Sequence, residues 1–262
     1  MPWAAVNDVR LYYLASGKGP ALVFAHGAGG NHLSWWQQIP YFSQRYRCVV
    51  FDHRAFGRSL DGHEGLGRRA FADDLLLLLD HLNIESVAII AQSMGGRTAV
   101  GFSVRNPERV RALVLAGTTG GAVNDEIRSA QETHRRTPAG RRSLAQRAIA
   151  PGLRRERPDL AYLYGLIGRL NPPRPSNFLA PIPGYRGSSA QRLADLNVPI
   201  LFLVGEEDTI TPPDIVRMAH EQVPNSQFDI IKDAGHSAYF ERAEAFNNRV
   251  SQFLDEAGWA SA

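Results

Sequence analysis

The sequence predicts a doubly wound α/β fold: a mostly parallel sheet covered by helices, with a helical lid inserted late in the chain. Three observations carry the prediction. Short apolar runs recur along the first half, and each ends abruptly on a glycine or a polar residue. Helical patterns separate these runs, as crossovers between parallel strands require. From about Gly120 to Ser188 the alternation stops, and it resumes afterwards.

The elements follow in order. Trp3–Val6 and Arg10–Ala15, turning at Asn7-Asp8, read as a hairpin that adds antiparallel edge strands. Ala21–Ala25 (ALVFA) runs into His26-Gly27-Ala28-Gly29-Gly30, Cys48–Phe51 into Asp52, Val87–Ala91 into Gln92-Ser93, and Leu113–Ala116 into Gly117. These runs are continuous rather than alternating, so both faces of each strand must be buried, the mark of a parallel sheet. Arg68–Leu82 sets Phe71, Leu75, Leu78, Leu79 and Leu82 on one helical face. Met94–Arg105 follows the third run directly and is stopped at Asn106-Pro107. The stretch without strands is rich in Arg and Ala and broken by Pro138, Pro151, Pro158, Pro172, Pro173, Pro175, Pro181 and Pro183. Ile200–Val204, a helix from about Pro213 to Gln222, the strand Gln227–Ile231 and a helix from about Ala243 to Ala257 complete the chain. Residues 1–119 and 189–262 are thus the core. Residues 120–188 are the lid, expected over the carboxyl edge of the sheet, where open α/β folds bind ligands.

Composition narrows the classes. A chain of 262 residues, 44% apolar and 21% charged, suits one large domain with an insertion and excludes disorder, collagen and long coiled coil. No apolar run exceeds that of Leu75–Leu79, whereas a membrane span needs ~20 residues. Met1-Pro2-Trp3-Ala4-Ala5 shows no basic segment leading into an apolar one, so no signal peptide is read. The single cysteine, Cys48, excludes an intramolecular disulfide and suits a reducing cytoplasm. Charge is unevenly spread. Residues 125–192 hold 13 Arg against 5 acids, while the remainder holds 16 basic against 21 acidic residues. No recognisable module accompanies these arginines, so no nucleic-acid role is expected. No H-x-x-x-H or cysteine pair suggests a metal, and no cofactor is expected. The partner is a small-molecule substrate, and a monomer or homodimer is left open.

The chemistry concentrates at strand ends. In Ala91-Gln92-Ser93-Met94-Gly95-Gly96 a serine sits between a predicted strand and a predicted helix. A sharp turn there projects the hydroxyl above the sheet, and small residues at 91 and 95 let strand and helix pass closely. The helix start adds free N–H groups and a positive dipole end. The blander alternative is a serine N-cap. Three further segments supply context: His26-Gly27-Ala28-Gly29-Gly30, Asp52-His53-Arg54-Ala55-Phe56-Gly57-Arg58-Ser59, and the pair Gly205-Glu206-Glu207-Asp208 with Ala234-Gly235-His236-Ser237.

In the order, spacing and strand-end placement of these segments the chain resembles the α/β-hydrolase superfamily, specifically its lid-bearing small-molecule serine hydrolases. The likeness covers nearly everything except the insert. Ala91 departs from the usual G-x-S-x-G, and Ala55 stands where relatives usually carry Gly. The resemblance implies a nucleophile at Ser93, a base at His236 and an acid at Asp208, with Glu206 and Glu207 as close competitors. It implies oxyanion donors in the N–H groups of Ala28 and Met94. His26 and His53 read as structural; His32, His63, His81, His134 and His220 read as surface residues. Arg54 is weighed as a partner for a substrate carboxylate. Ser-x-Gly-Gly-Arg also resembles the menaquinone-pathway lyases, where the arginine matching Arg97 meets an anionic substrate. Aromatic residues that could line a pocket include Trp35, Trp36, Tyr162, Tyr164, Phe178, Tyr185, Tyr239 and Phe240. Arg97, Trp35 and Tyr239 are taken as substrate-binding. The expected activity is hydrolysis of a small carboxylic ester or lactone through an acyl-enzyme. Carbon–carbon hydrolysis of meta-cleavage products, a menaquinone-type elimination, and a receptor-like relative with little turnover are the alternatives.

Overall fold

A computed structural model describes residues 2–62, 65–175, 177–180 and 189–259. Its strands are β1 (Trp3–Val6), β2 (Val9–Ser16), β3 (Ala21–Ala25), β4 (Arg47–Phe51), β5 (Val87–Gln92), β6 (Val110–Ala116), β7 (Ile200–Gly205) and β8 (Gln227–Ile231). They form one sheet in the order β1-β2-β4-β3-β5-β6-β7-β8. The β1–β2 and β2–β4 pairs are antiparallel, and every later pair is parallel. The helices are α1 (Gln38–Phe42), α2 (Phe71–His81), α3 (Met94–Ser103), α4 (Asp125–Arg136), α5 (Leu144–Arg147), α6 (Leu153–Glu156), α7 (Pro158–Arg169), α8 (Ala190–Ala194), α9 (Pro213–Glu221), α10 (Ala238–Glu241) and α11 (Ala243–Glu256). None is long and apolar enough to cross a membrane.

The strand sequences explain the two-sided core. Successive residues of β3, β4, β5, β6 and β7 point to opposite faces. Val23, Val49, Ile89, Leu113 and Phe202 pack on one side with Leu75, Leu78 and Leu79 of α2 and Val100 and Phe102 of α3. Leu22, Val50, Ile90, Val114 and Leu203 pack on the other with Trp35, Phe42 of α1, and Phe246, Val250 and Phe253 of α11. The hairpin turns at Asn7 (φ 39°) and Asp8 (φ 62°), two left-handed residues in succession, matching the twist of antiparallel strands.

Between β6 and β7 the chain leaves the sheet for α4 to α7, and no strand occurs among the described residues of this insert. His63, Pro181, Pro183, Tyr185 and the expected insert boundary at Ser188 lie outside the described residues.

Candidate active site

The carboxyl ends of β3, β5, β6, β7 and β8 bring the singled-out loops together. Ser93 stands between the last residue of β5 and the first of α3, with φ 51° and ψ −113°. A non-glycine residue held there costs on the order of 1–3 kcal/mol, a strain that clusters at functional sites. The turn is tight enough that a Cβ on Gly95 would fall on the carbonyl oxygen of Ala25. Ala91 is fully buried, so the methyl that departs from the usual glycine is absorbed by the core. The Ser93 hydroxyl makes no N-cap hydrogen bond, which removes the capping alternative; Ser93 instead lines a cavity of about 810 Å³.

His236 lines the same cavity. Its Nδ1 lies 2.8 Å from Oδ2 of Asp208, and both residues are buried. The other Asp208 oxygen accepts the N–H groups of Ile210 (2.8 Å) and Thr211 (2.9 Å), so the carboxylate is held from both sides. With Nδ1–H engaged, Nε2 is left as the basic nitrogen. Gly117, at φ 57°, makes room for the pair: a Cβ there would stand 3.2 Å from both Asp208 Oδ2 and His236 Nδ1. Glu206 and Glu207 are exposed, and Glu206 accepts the N–H of Asp233 instead. Gln92 Nε2 donates to the His236 carbonyl at 3.1 Å.

Ala28 and Met94 also line the cavity. Met94 opens α3, so its N–H has no acceptor within the helix. The Ala28 loop is braced by two neutral imidazoles. His26 Nδ1 donates to the Gly27 carbonyl at 2.8 Å, while its Nε2 accepts from the backbone N–H of His53 at 3.1 Å. Burial pushes His26 down to about 4 and His53 well below the usual imidazole range.

Three polar contacts around the site escaped the sequence reading, in which Tyr164 is only a candidate pocket aromatic and His134 a surface residue. Glu241 is buried at the end of α10, and its carboxylate accepts the N–H groups of Gly235 (3.1 Å) and Ser237 (3.2 Å), which flank His236. Its other oxygen accepts the N–H of Ala150, in the insert, at 2.7 Å. Burial raises its carboxyl above the usual range. Tyr164 of α7 lines the cavity and accepts from Ser237 Oγ at 2.9 Å, which leaves its own hydroxyl hydrogen to donate elsewhere. Beside Asp208, the Thr209 carbonyl accepts from His134 Nε2 (2.7 Å) and Arg147 (2.8 Å), both from the insert. Alternation of apolar and polar residues carries no signal for such side-chain-to-backbone bonds.

Several expectations are corrected. Trp35 and Tyr239 do not line the cavity; their rings lie 4.5 Å apart in the core, because Trp35 packs under β3 against Phe24. Among the candidate aromatics that are described, only Tyr164 lines it. Arg54 is buried against Asp74, with its Nε 2.6 Å from Oδ2, and is spent on that ion pair. His32 is no surface residue: it is buried, and its backbone N–H (2.7 Å) and Nδ1 (2.8 Å) both meet Asp52. Ala55 explains its own oddity, since it sits at φ 65°, where glycine is easier. Cys48 is buried and its thiol is pushed up to about 12, so it behaves as a small apolar residue. Arg97 does line the cavity. The described residues contain no cluster of three or more metal-ligating side chains.

Comparison with known proteins places the chain and its fold. The sequence model described as alpha/beta hydrolase fold matches residues 20–156, and one described as TAP-like protein matches residues 181–259. A 2-hydroxy-6-oxononadienedioate/2-hydroxy-6-oxononatrienedioate hydrolase of Paraburkholderia xenovorans is 30% identical, over 95% of this chain and 91% of the relative. The 3-oxoadipate enol-lactonase 2 of Acinetobacter baylyi is 27% identical, over 95% of this chain and 94% of its own. Among solved structures, a protein described as an N-acyl homoserine lactone degrading enzyme superposes with a TM-score of 0.79 at 25% identity, covering 96% of this chain and 100% of its own. A thermophilic esterase from Thermogutta terrifontis gives 0.78 at 25% identity, covering 97% and 98%.

Proposed function

We propose, from the premise that this chain belongs to the alpha/beta hydrolase fold family, that it is a serine hydrolase cleaving a small carboxylic ester or lactone through an acyl-enzyme. The observation that carries the reading is the strained Ser93 opening on one cavity with a His236 whose Nδ1 is held by a buried Asp208. The residues 120–188 would then act as the lid, since α4 and α7 line the same cavity.

The chemistry follows from the geometry. Ser93 Oγ attacks the substrate carbonyl while His236 Nε2 takes its proton. Asp208 stabilises the resulting imidazolium and keeps the ring in the required tautomer. The oxyanion forms against the N–H groups of Met94 and Ala28, two residues that line the cavity; a donor so used is worth about 3 kcal/mol. Collapse breaks the ester bond, and the departing alkoxide takes the proton from His236; in a lactone it stays tethered to the acyl group. Water then gives a proton to His236 and attacks the acyl carbon, and Ser93 leaves with that proton. The names of the enol-lactonase and lactone-degrading relatives support a lactone or ester substrate.

A second reading, carbon–carbon hydrolysis of a meta-cleavage product, is favoured by the 30% identity to the Paraburkholderia hydrolase. One experiment separates them. A panel of p-nitrophenyl esters, aliphatic lactones and meta-cleavage dienoates is assayed beside labelling by a fluorophosphonate. The proposal expects a single label at Ser93 and turnover of esters or lactones. Turnover of dienoates alone would install the second reading, and full labelling of Ser93→Ala would remove the nucleophile assignment.

A further inference from the structure

One residue of the insert brings an unused hydrogen-bond donor to the proposed catalytic centre. Tyr164 is half-buried on α7 and lines the cavity that Ser93 and His236 share. Its phenol oxygen accepts from Ser237 Oγ at 2.9 Å and makes no other hydrogen bond among the described residues. A phenol carries one hydrogen of its own to donate. Burial holds the Tyr164 hydroxyl above the usual phenol range, so that hydrogen stays in place at neutral pH.

The neighbours fix where the hydroxyl stands. Ser237 follows His236 in the chain, so one side of the phenol oxygen meets the loop after β8. On the other side, a Cβ on Gly29 would stand 3.5 Å from it, which sets the oxygen beside the loop that carries Ala28. Helix α7 is seated on that loop. Asn31 Nδ2 donates to the Ile167 carbonyl at 2.9 Å, and a Cβ on Gly168, one turn after Tyr164, would come within 3.2 Å of the Gly29 carbonyl oxygen. The ring packs edge-on against Phe240, with centroids 5.2 Å apart.

The direction of the donors is set from behind. The Asn31 N–H, which can only donate, gives its hydrogen to Ser34 Oγ at 3.1 Å. The Ser34 and Ser237 hydroxyls both bond the buried Tyr239 hydroxyl. Run from that N–H, each hydroxyl passes its hydrogen forward: Ser34 to Tyr239, Tyr239 to Ser237, and Ser237 to Tyr164. The last donor is left for the cavity, and chains of this kind strengthen their terminal donor by mutual polarisation.

In the proposed mechanism the oxyanion has two N–H donors, whereas the departing oxygen has His236 alone. That oxygen is strongly basic only when the alcohol is aliphatic, because a phenolate or an enolate spreads its charge. We infer that Tyr164 is a catalytic residue whose hydroxyl hydrogen-bonds the leaving oxygen, and that the substrate is accordingly an alkyl ester or saturated lactone. As the bond between acyl carbon and leaving oxygen breaks, His236 Nε2 gives that oxygen a proton. Tyr164 donates a hydrogen bond to its other lone pair and keeps its own proton.

This inference rests on the serine-hydrolase reading of the same cavity. Butyrate esters of p-nitrophenol, phenol and ethanol share one acyl group and differ in the basicity of the leaving oxygen. For each, kcat/KM is measured with the parent enzyme and with Tyr164→Phe. The expected loss is within about threefold for the p-nitrophenyl ester and about 10- to 100-fold for the ethyl ester. Tyr162→Phe, on the same helix but 66% exposed, should leave all three rates in place. An equal loss on all three esters, as a misplaced α7 would give, or no loss on any, would overturn the inference and leave the hydrolase standing. So would a parent enzyme that cleaves the aryl esters and not the ethyl ester. A parent enzyme that cleaves no ester, with Ser93 unlabelled by a fluorophosphonate, would fell the hydrolase reading and this inference with it.

Discussion

Every residue of β5, from Val87 to Gln92, is buried, whereas α4, twice as long, buries only Ile127. The two segments represent two ways of holding a chain in place. The sheet is stabilised by apolar area taken from water on both faces, at roughly 25 cal/mol per Å². The insert has little such area to bury. It is tied down where it meets the loops that carry the proposed triad, by Ala150 on Glu241, by His134 and Arg147 on the Thr209 carbonyl, by Tyr164 on Ser237, and by Asn31 on the Ile167 carbonyl. Thr209 and Ser237 adjoin proposed catalytic residues, Glu241 holds the N–H groups of the two residues that flank His236, and Asn31 follows the Ala28 loop. The comparison teaches that the core positions the chemistry by packing and the insert positions it by hydrogen bonding. Core damage should therefore read out as lost fold, and insert damage as lost alignment.

The largest expected effect lies in the core's own machinery. Ser93→Ala should lower kcat by roughly 10⁴- to 10⁶-fold with the fold intact, because the methyl fits the same elbow. Activity within tenfold of the parent enzyme would break the assignment. Asp208→Asn should cost about 10³- to 10⁴-fold by leaving the imidazole in the wrong tautomer. Glu206→Gln and Glu207→Gln, both at exposed positions, should stay within a few-fold, and a Glu207→Gln as damaging as Asp208→Asn would sink the choice of acid.

Glu241 tests the seam between the two regions. Glu241→Gln presents an NH₂ to three N–H donors, so at least one bond is lost and a donor faces a donor. The expected result is a kcat about tenfold lower and a stability loss of roughly 1–3 kcal/mol, with the pH profile of kcat/KM displaced because the His236 loop is no longer held. Unchanged kcat and pH profile beside a lowered melting temperature would make Glu241 a purely structural residue.

The pH dependence of stability belongs to the core. His26 and His53 are held neutral by burial, so below an unfolded imidazole value near 6.5 the unfolded chain binds protons that the folded chain refuses. Their contribution is complete above that pH and is lost as the pH falls toward about 4, the folded value of His26. Urea midpoints should decline steadily over that window; a flat profile would show that the two imidazoles are not held neutral. The smallest effect is expected on the insert's outer face. Arg136→Ala removes an exposed pair with Glu132 and should change stability by no more than about 0.5 kcal/mol, and a larger change would mean that surface charge holds the insert.

Much of this was legible before any coordinates. Unbroken apolar runs such as ALVFA and VAIIA can satisfy both strand faces only between two layers of helices, so the parallel sheet follows from pattern alone. Its boundaries do not all follow: β6 starts at Val110, three residues before the run Leu113–Ala116, because the polar Arg111 interrupts the pattern. The elbow was visible only in context, since a serine between a strand and a helix is also a common N-cap, and the order and spacing of the other strand-end segments chose between the two. Asn7-Asp8 announced the hairpin by its tolerance of left-handed backbone. Tertiary structure decided everything that depends on which side chain meets which across the chain. The choice of Asp208 over its two acidic neighbours turns on the direction each side chain takes from the end of β7. Arg54 was lost to Asp74, Trp35 and Tyr239 to the core, and His32 to Asp52, because burial selects partners by proximity in space. Glu241 is the same case in reverse. A local pattern reports how a segment meets water, through the periodicity of its apolar residues. The partner of a charged or polar group is set by contacts between residues as far apart as Gln38 and Asn247, and those exist only once the chain has folded.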